Sequence, residues 1–83
     1  MNQEIEKRIG TNIRRIRERQ KHTQSWLAAK LQLAGCDITR SAVAKIEAGL
    51  RHLYPDEIIL IRDLLGTTYE EIFDLSELDP SVP

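Results

Sequence analysis

The 83-residue sequence has little cysteine and no long apolar run. Cys36 is the only cysteine, so no disulfide can form within the chain, which suits a reducing compartment. No apolar stretch approaches the roughly 20 residues that a membrane-spanning helix needs, and the N-terminus lacks the apolar core of a signal peptide. The composition therefore predicts one small globular domain that stays in the cytoplasm and has no membrane partner.

Residues suited to catalysis or metal binding are also scarce. His22, His52 and Cys36 are the only candidates for a nucleophile, base or metal ligand that acts near neutral pH. None of them is spaced as a metal-binding pair, and there is no glycine-rich phosphate loop. We expect no enzymatic activity, no metal and no cofactor, with His22 a surface residue and Cys36 an inert residue of a loop.

The net charge of −1 conceals a strong charge asymmetry. Residues 1–52 contain eleven Lys and Arg residues and five Asp and Glu residues, a net charge of +6. Residues 53–83 contain one Arg and eight Asp and Glu residues, a net charge of −7. Such asymmetry suggests that the basic half meets a polyanion, although ordinary solvated helix faces explain charge alone equally well.

The pattern of apolar residues predicts helices and no strands. Ile5, Ile9, Ile13 and Ile16 recur at helical spacing and predict a first helix over about residues 3–20. A second and a third helix follow, each with a Thr before it as N-cap and a Gly after it as a stop; these residues are Thr23 with Gly35 and Thr39 with Gly49.

The acidic half predicts two further helices. Pro55 suits the first turn of a fourth helix that ends at Gly66, and Thr68 opens a capping box that begins a short fifth helix over Ile72 and Phe73. The expected fold is therefore all-α, a compact bundle of about five short helices. Residues 1–75 would form the domain, and residues 76–83 would form a frayed C-terminal tail.

The third helix has two different faces. On a helical wheel, one arc carries Ala42, Val43, Ile46 and Glu47, and this arc would pack against the rest of the domain. The opposite arc combines donors of hydrogen bonds with small side chains that allow close approach to another surface; it contains Arg40, Ser41, Ala44, Lys45 and Ala48. Arg and Lys donate to guanine edges or phosphates, so this arc is suited to reading DNA, although an ordinary exposed helix face explains the same pattern equally well.

Several motifs in one order give the sequence a family resemblance. "IGTNIRRIRERQKHTQSWLAAKL" followed by "ITRSAVAKIEAGLRHLYPDEIILIRDLLGTTYEEIF" resembles the lambda-repressor-like, Cro-type (XRE) helix-turn-helix family over roughly residues 9–73. The resemblance implies that the helix over residues 39–48 is the recognition helix, which enters the major groove of double-stranded DNA. It also implies a sequence-specific transcriptional regulator from a bacterium or phage.

The resemblance also implies roles for individual residues. Arg40, Ser41 and Lys45 match base-facing or groove-facing positions, and Ala44 lies on the same arc. Phosphate contacts are implied for Gln24 at the start of the second helix, Thr39 at the start of the third, and Arg51 after it; His52, beside Arg51, is a further candidate. Arg17 and Glu47 match an ion pair between the first and third helices. Glu47 lies at the edge of the packing arc, where a lone carboxylate would be costly.

The sequence departs from the family pattern at two places. Residues 32–37 lengthen the connection between the second and third helices by about five residues, so a tight turn is not expected. Trp26 replaces a charged surface residue and lies beside Leu33 on the helical wheel, so either the longer loop covers it or it forms an exposed apolar patch for a partner.

An apolar surplus on the fourth helix suggests a homodimer. Ile58, Ile61 and Leu65 would fill its core arc, which leaves Leu60 and Leu64 on a second arc that needs cover, either from the fifth helix or from a partner chain. We expect Leu60, Leu64 and Phe73 to form a dimer contact, with the dimer on a palindromic operator. The alternatives are a protein-interaction module or an antitoxin with the same fold, because the acidic half would suit a basic protein partner.

Overall fold

The computed structural model describes residues 2–76 and places five α-helices and no strand in them. The helices are α1 (Gln3–Arg19), α2 (Gln24–Leu33), α3 (Arg40–Glu47), α4 (Pro55–Leu65) and α5 (Tyr69–Ile72). The all-α prediction is therefore confirmed. The predicted tail over residues 76–83 lies outside the described residues except for residue 76.

Side-chain caps fix the starts of α2, α3 and α5. The hydroxyl oxygens of Thr23, Thr39 and Thr68 accept the backbone N–H of the residue three positions later, at 3.0–3.2 Å. Such caps typically stabilise a helix by about 1 kcal/mol each. The starts of α2 and α3 are thus set by local sequence, and the cap at Thr39 fixes the position of the first residues of α3.

One apolar core holds the helices together. α1 packs against α3 and α5, and α2 packs against α3 and α4. The core consists of side chains that are at most 4% exposed: Ile13, Ile16, Leu27, Ala28, Leu31, Ile38, Val43, Ile46, Ile61, Leu65 and Ile72. Since α3 contacts both α1 and α2, its orientation is fixed by two neighbours.

The side-chain amides of Asn12 in α1 and of Gln20, directly after α1, bind the C-terminal part of the domain. The buried Asn12 donates from its side-chain amide to the carbonyl oxygens of Ile72 and Asp74, each at 2.9 Å. Gln20 donates to the carbonyl oxygen of Leu65 at 2.6 Å, at the end of α4. These bonds satisfy carbonyl groups that lack a partner within their own helix.

The core stripe of α4 differs from the expected one. It runs through Glu57, Ile61 and Leu65, and the partly buried Leu60 and Leu64 pack beside it against the core. Ile58, expected in the core, is only half-buried. The buried stripe begins one residue earlier than expected, because the Glu57 side chain is only 7% exposed and takes the place expected for Ile58. Leu60 and Leu64 are therefore covered in part within the monomer.

The connection from α2 to α3 is a loop closed by a Schellman motif. Gly35 has φ +88°, a left-handed conformation that glycine adopts without strain. The N–H of Gly35 donates to Gln32 and the N–H of Cys36 donates to Leu31, which caps the last carbonyls of α2. The Gln32 side chain then donates to the carbonyl oxygen of Ile38 at 2.9 Å. The lengthened connection is thus anchored immediately before α3.

Candidate nucleic-acid interface

α3 lies unusually close to α1. A Cβ atom on Gly10 would collide with the carbonyl oxygens of Ile46 and Glu47, so only glycine permits this approach. Val43 and Ile46 on the inner face of α3 are 2% and 3% exposed. Because the backbones of α1 and α3 touch here, the position of α3 is fixed with little freedom.

The outer face of α3 is open. Arg40, Ser41 and Lys45 are exposed, and Ala44 between them is half-buried. No ion pair with another residue of the range 2–76 involves Arg40 or Lys45. Two cations and a hydroxyl group are therefore presented on one helix face with their charges not neutralised by the described part of the chain.

A buried ion pair joins α1 to the end of α3. The Arg17 guanidinium donates from Nε and Nη2 to the two carboxylate oxygens of Glu47, at 2.8 and 2.9 Å. The side chains of Arg17 and Glu47 are 8% and 3% exposed. The hydrogen bond to Glu47 raises the pKa of Arg17 above its ordinary value, although burial opposes this.

Two further groups complete this network. Arg17 also donates from Nη1 to the carbonyl oxygen of His22 at 2.7 Å, in the turn between α1 and α2. The Gln24 side chain donates to Oε1 of Glu47 at 3.0 Å. The start of α2 is thereby connected to α3 through the ion pair. One of the two N–H hydrogens of the Gln24 amide stays available for another acceptor.

The loop after α3 contains two predicted phosphate contacts that are already paired. Arg51 donates to both carboxylate oxygens of Glu57, at 2.9 and 3.0 Å, and Nδ1 of His52 lies 2.8 Å from Oε1 of Glu6. Glu57 also accepts the backbone N–H of Tyr54 at 3.0 Å. The hydrogen bond from Arg51, followed by that from Tyr54, lowers the pKa of Glu57 against the effect of burial.

An open groove runs between the start of α2, the start of α3 and the second half of α1. Its lining includes predicted site residues and also His22, which was expected from the sequence to be an ordinary surface residue. The residues that line the groove are Arg14, Arg17, Glu18, His22, Thr23, Gln24, Ser25 and Arg40. The imidazole ring of His22 stacks on Trp26, with 3.6 Å between ring centroids and an interplanar angle of 4°.

Trp26 is covered from a direction that the sequence did not indicate. The expected covers were the long loop or a partner, but the ring of His22 lies on it, and Lys30 Nζ lies 5.9 Å from its centroid. Leu33, expected beside Trp26, is 82% exposed. The spacing of four residues between His22 and Trp26 was the available signal, but His22 precedes the helix.

Residues 2–76 contain neither a metal-binding cluster nor a membrane-spanning helix. Within residues 2–76, no group of three or more His, Cys, Asp and Glu side chains is arranged to hold a metal ion. No helix in that range combines the length and apolar character needed to cross a membrane. Cys36 is a half-buried free thiol whose pKa is raised, first by burial and then by the nearby carboxylates of Glu57 and Asp56.

A comparison with known proteins finds a family match for the region that contains these features. The helix-turn-helix family matches residues 13–72, well over half of the chain, and the match includes the whole of α2, α3 and α4. Neither a curated protein nor a solved structure matches the chain significantly.

Proposed function

The chain belongs to the helix-turn-helix family of DNA-binding regulators, and on this basis we propose that it is a sequence-specific transcriptional regulator. α3 would lie in the major groove of double-stranded DNA. The observation that carries the proposal is the outer face of α3, where Arg40, Ser41 and Lys45 are exposed and neither cation has an ion-pair partner within residues 2–76. α3 enters the groove as a rigid element because its other face is buried against α1 and α2.

The residues of α3 would make different kinds of contact with the DNA. Arg40 and Lys45 would donate to guanine edges or phosphates, and Ser41 would donate or accept. The short side chain of Ala44 lets the helix approach the base pairs. Thr39, at the N-terminus of α3, would lie near a phosphate, which the free backbone N–H groups of a helix start also favour.

The remaining predicted contacts would go to the DNA backbone. Gln24 has a free N–H for a phosphate while it holds Glu47 with the other. Arg51 and His52 would reach a phosphate only by sharing their partners Glu57 and Glu6, so we propose that they contribute less than Arg40 and Lys45. Backbone contacts of this kind set affinity and register, whereas the face of α3 sets sequence preference.

We further propose a homodimer on a palindromic operator. One short recognition helix reads few base pairs, and two-fold dimers commonly read two half-sites about 34 Å apart. The side chain of Phe73 is 41% exposed, and Leu60 and Leu64 remain partly exposed beside the core. These three residues would form the contact, together with Ile59, which is 45% exposed.

The proposed setting is the cytoplasm of a bacterium or a phage-infected bacterium, where such a regulator meets its DNA. The competing functions are a protein-interaction module and an antitoxin with the same fold. A pure interaction module gives no role to the two cations on the outer face of α3, which favours the DNA-binding function. We propose no catalytic role for the chain.

Selection of bound sequences from a random pool of DNA duplexes tests this function. The wild-type protein should enrich a single motif with two-fold symmetry. Arg40→Ala should relax base preference at one position in each half-site, because a good bidentate contact contributes about 1–3 kcal/mol of discrimination. A pool that stays random after repeated rounds with the wild-type protein would reject sequence-specific binding and favour the interaction module.

A further inference from the structure

The ring of His22 is a polar group in the groove that the proposed recognition contacts leave unused. Its backbone is bonded to Arg17 in both directions, through the N–H to the carbonyl oxygen of Arg17 at 3.1 Å and through its carbonyl oxygen to Nη1 at 2.7 Å. Its ring is held face to face on Trp26 at 3.6 Å. Backbone and ring are therefore both fixed, and through Arg17 they are fixed relative to α3.

The imidazole also has an unused donor. No hydrogen bond with another group in residues 2–76 involves its ring nitrogens. A neutral imidazole always has one N–H donor, so the ring can donate to an anion without a change of protonation. The ring faces a groove that also holds the guanidinium groups of Arg14 and Arg40, with Glu18 as the only carboxylate in its lining.

We propose that His22 binds a phosphate of the DNA backbone and that Trp26 is the residue that positions it. This inference rests on the proposed function, since it adds a contact to the same DNA surface. The phosphate would lie in the groove between His22 and Arg40, beside the first turns of α2 and α3. The first turn of each helix has free backbone N–H groups, which favour an anion nearby.

The stack on Trp26 gives the contact its strength. A free surface histidine loses rotational freedom when it binds, whereas His22 has lost that freedom already in the unbound protein. The Trp26 indole provides the flat surface that sets the plane of the imidazole. This also gives a physical reason for a large aromatic residue at this half-buried position of α2.

The test measures binding of a short fluorescein-labelled DNA duplex of random sequence by fluorescence anisotropy at low salt. His22→Ala should raise the dissociation constant about three- to tenfold, the value of one net hydrogen bond. Trp26→Ala should have a similar effect, while Trp26→Phe, which keeps an aromatic face, should bind nearly as well as the wild type. Leu33→Ala is the matched control, because Leu33 is 82% exposed at the other end of α2 and should change nothing.

A positioning role predicts a specific pattern in the double variant. In the His22→Ala background, Trp26→Ala should cause no further loss of affinity in a variant that stays folded, because the only role of Trp26 in DNA binding would be to hold the imidazole. Thermal melting of each variant separates this result from loss of folding. Trp26 is the only tryptophan, so its emission should change in His22→Ala if the stack exists in solution.

Different failures have different meanings. If the wild type binds the duplex and a folded His22→Ala variant binds it equally well, the phosphate contact is wrong and the proposed function stands. If Trp26→Ala weakens binding further in the His22→Ala background, or if the emission is unchanged in His22→Ala, the positioning role is wrong. If the wild type does not bind DNA at all, the proposed function and this inference are both rejected.

Discussion

The Arg17–Glu47 ion pair should be worth far more to stability than a surface pair. Both side chains are at least 92% buried, and each carboxylate oxygen of Glu47 accepts a guanidinium N–H. Arg17→Ala leaves the Glu47 carboxylate buried with only Gln24 as a donor, and Glu47→Ala leaves the guanidinium with only the His22 carbonyl oxygen. Removal of one partner of such a pair typically costs about 3–5 kcal/mol.

This loss would be large relative to the whole domain. At about 0.05–0.15 kcal/mol per residue, a chain of this length has a free energy of unfolding of roughly 4–12 kcal/mol. A domain of this size loses about 4–8 °C in Tm per kcal/mol, so either variant should melt at least about 12 °C below the wild type. Urea denaturation followed by circular dichroism gives the free energy directly.

Two matched variants make this prediction sharp. Arg14 and Glu18 on the same helix form an exposed pair at 3.8 Å, so Arg14→Ala should cost only ~0–1 kcal/mol. The double variant Arg17→Met/Glu47→Leu removes both charges and should be more stable than either Ala variant, because no unpaired charge stays buried. Single Ala variants that lose less than about 1 kcal/mol would refute the reasoning, and so would a double-mutant cycle of Arg17→Ala and Glu47→Ala without coupling energy.

Three further predictions concern packing, pH and assembly. Gly10→Ala should lower the free energy of unfolding by ~1–3 kcal/mol in urea denaturation, because the added Cβ forces α1 away from α3; unchanged stability would contradict the close approach. Arg51 lowers the pKa of Glu57 in the folded state, so the stability that this pair provides is present above about pH 4.3 and is lost as pH falls below it. Glu57→Gln should therefore lose less stability than the wild type between about pH 5 and 3. An equal loss in the two proteins would exclude Glu57 as the cause. Phe73→Glu should shift a sedimentation profile from dimer to monomer, and a wild type that is monomeric at every concentration would reject the dimer.

Local sequence signals predicted the helices well. The caps at Thr23 and Thr39 and the stop at Gly35 depend on groups within a few residues, so they could be identified from the sequence. The two faces of α3 were also predictable, because helical periodicity separates Val43 and Ile46 from Arg40 and Lys45.

Side-chain contacts beyond the neighbouring turn could not be predicted from periodicity and caps; the Arg17–Glu47 pair was expected from the family resemblance. Ile58 rather than Glu57 was expected on the core face of α4, because only the approach of Arg51 in three dimensions makes burial of the Glu57 carboxylate tolerable. The same limit applies to the Gln24 bond to Glu47, which spans 23 positions in sequence. The His22–Trp26 stack is local, but no sequence rule distinguishes a histidine that packs on a ring from one that faces solvent.

The most direct test of the central claim is the salt dependence of DNA binding. The wild-type affinity should fall steeply with salt, and Arg40→Ala and Lys45→Ala should each lower the magnitude of the log–log slope by about 0.9 if each cation neutralises one phosphate. Arg62 on α4 is paired with Asp63 at 2.6 Å and lies outside the proposed surface, so Arg62→Ala should leave the slope unchanged. No binding at low salt, or an unchanged affinity together with an unchanged slope in both Arg40→Ala and Lys45→Ala, would contradict DNA recognition by the outer face of α3.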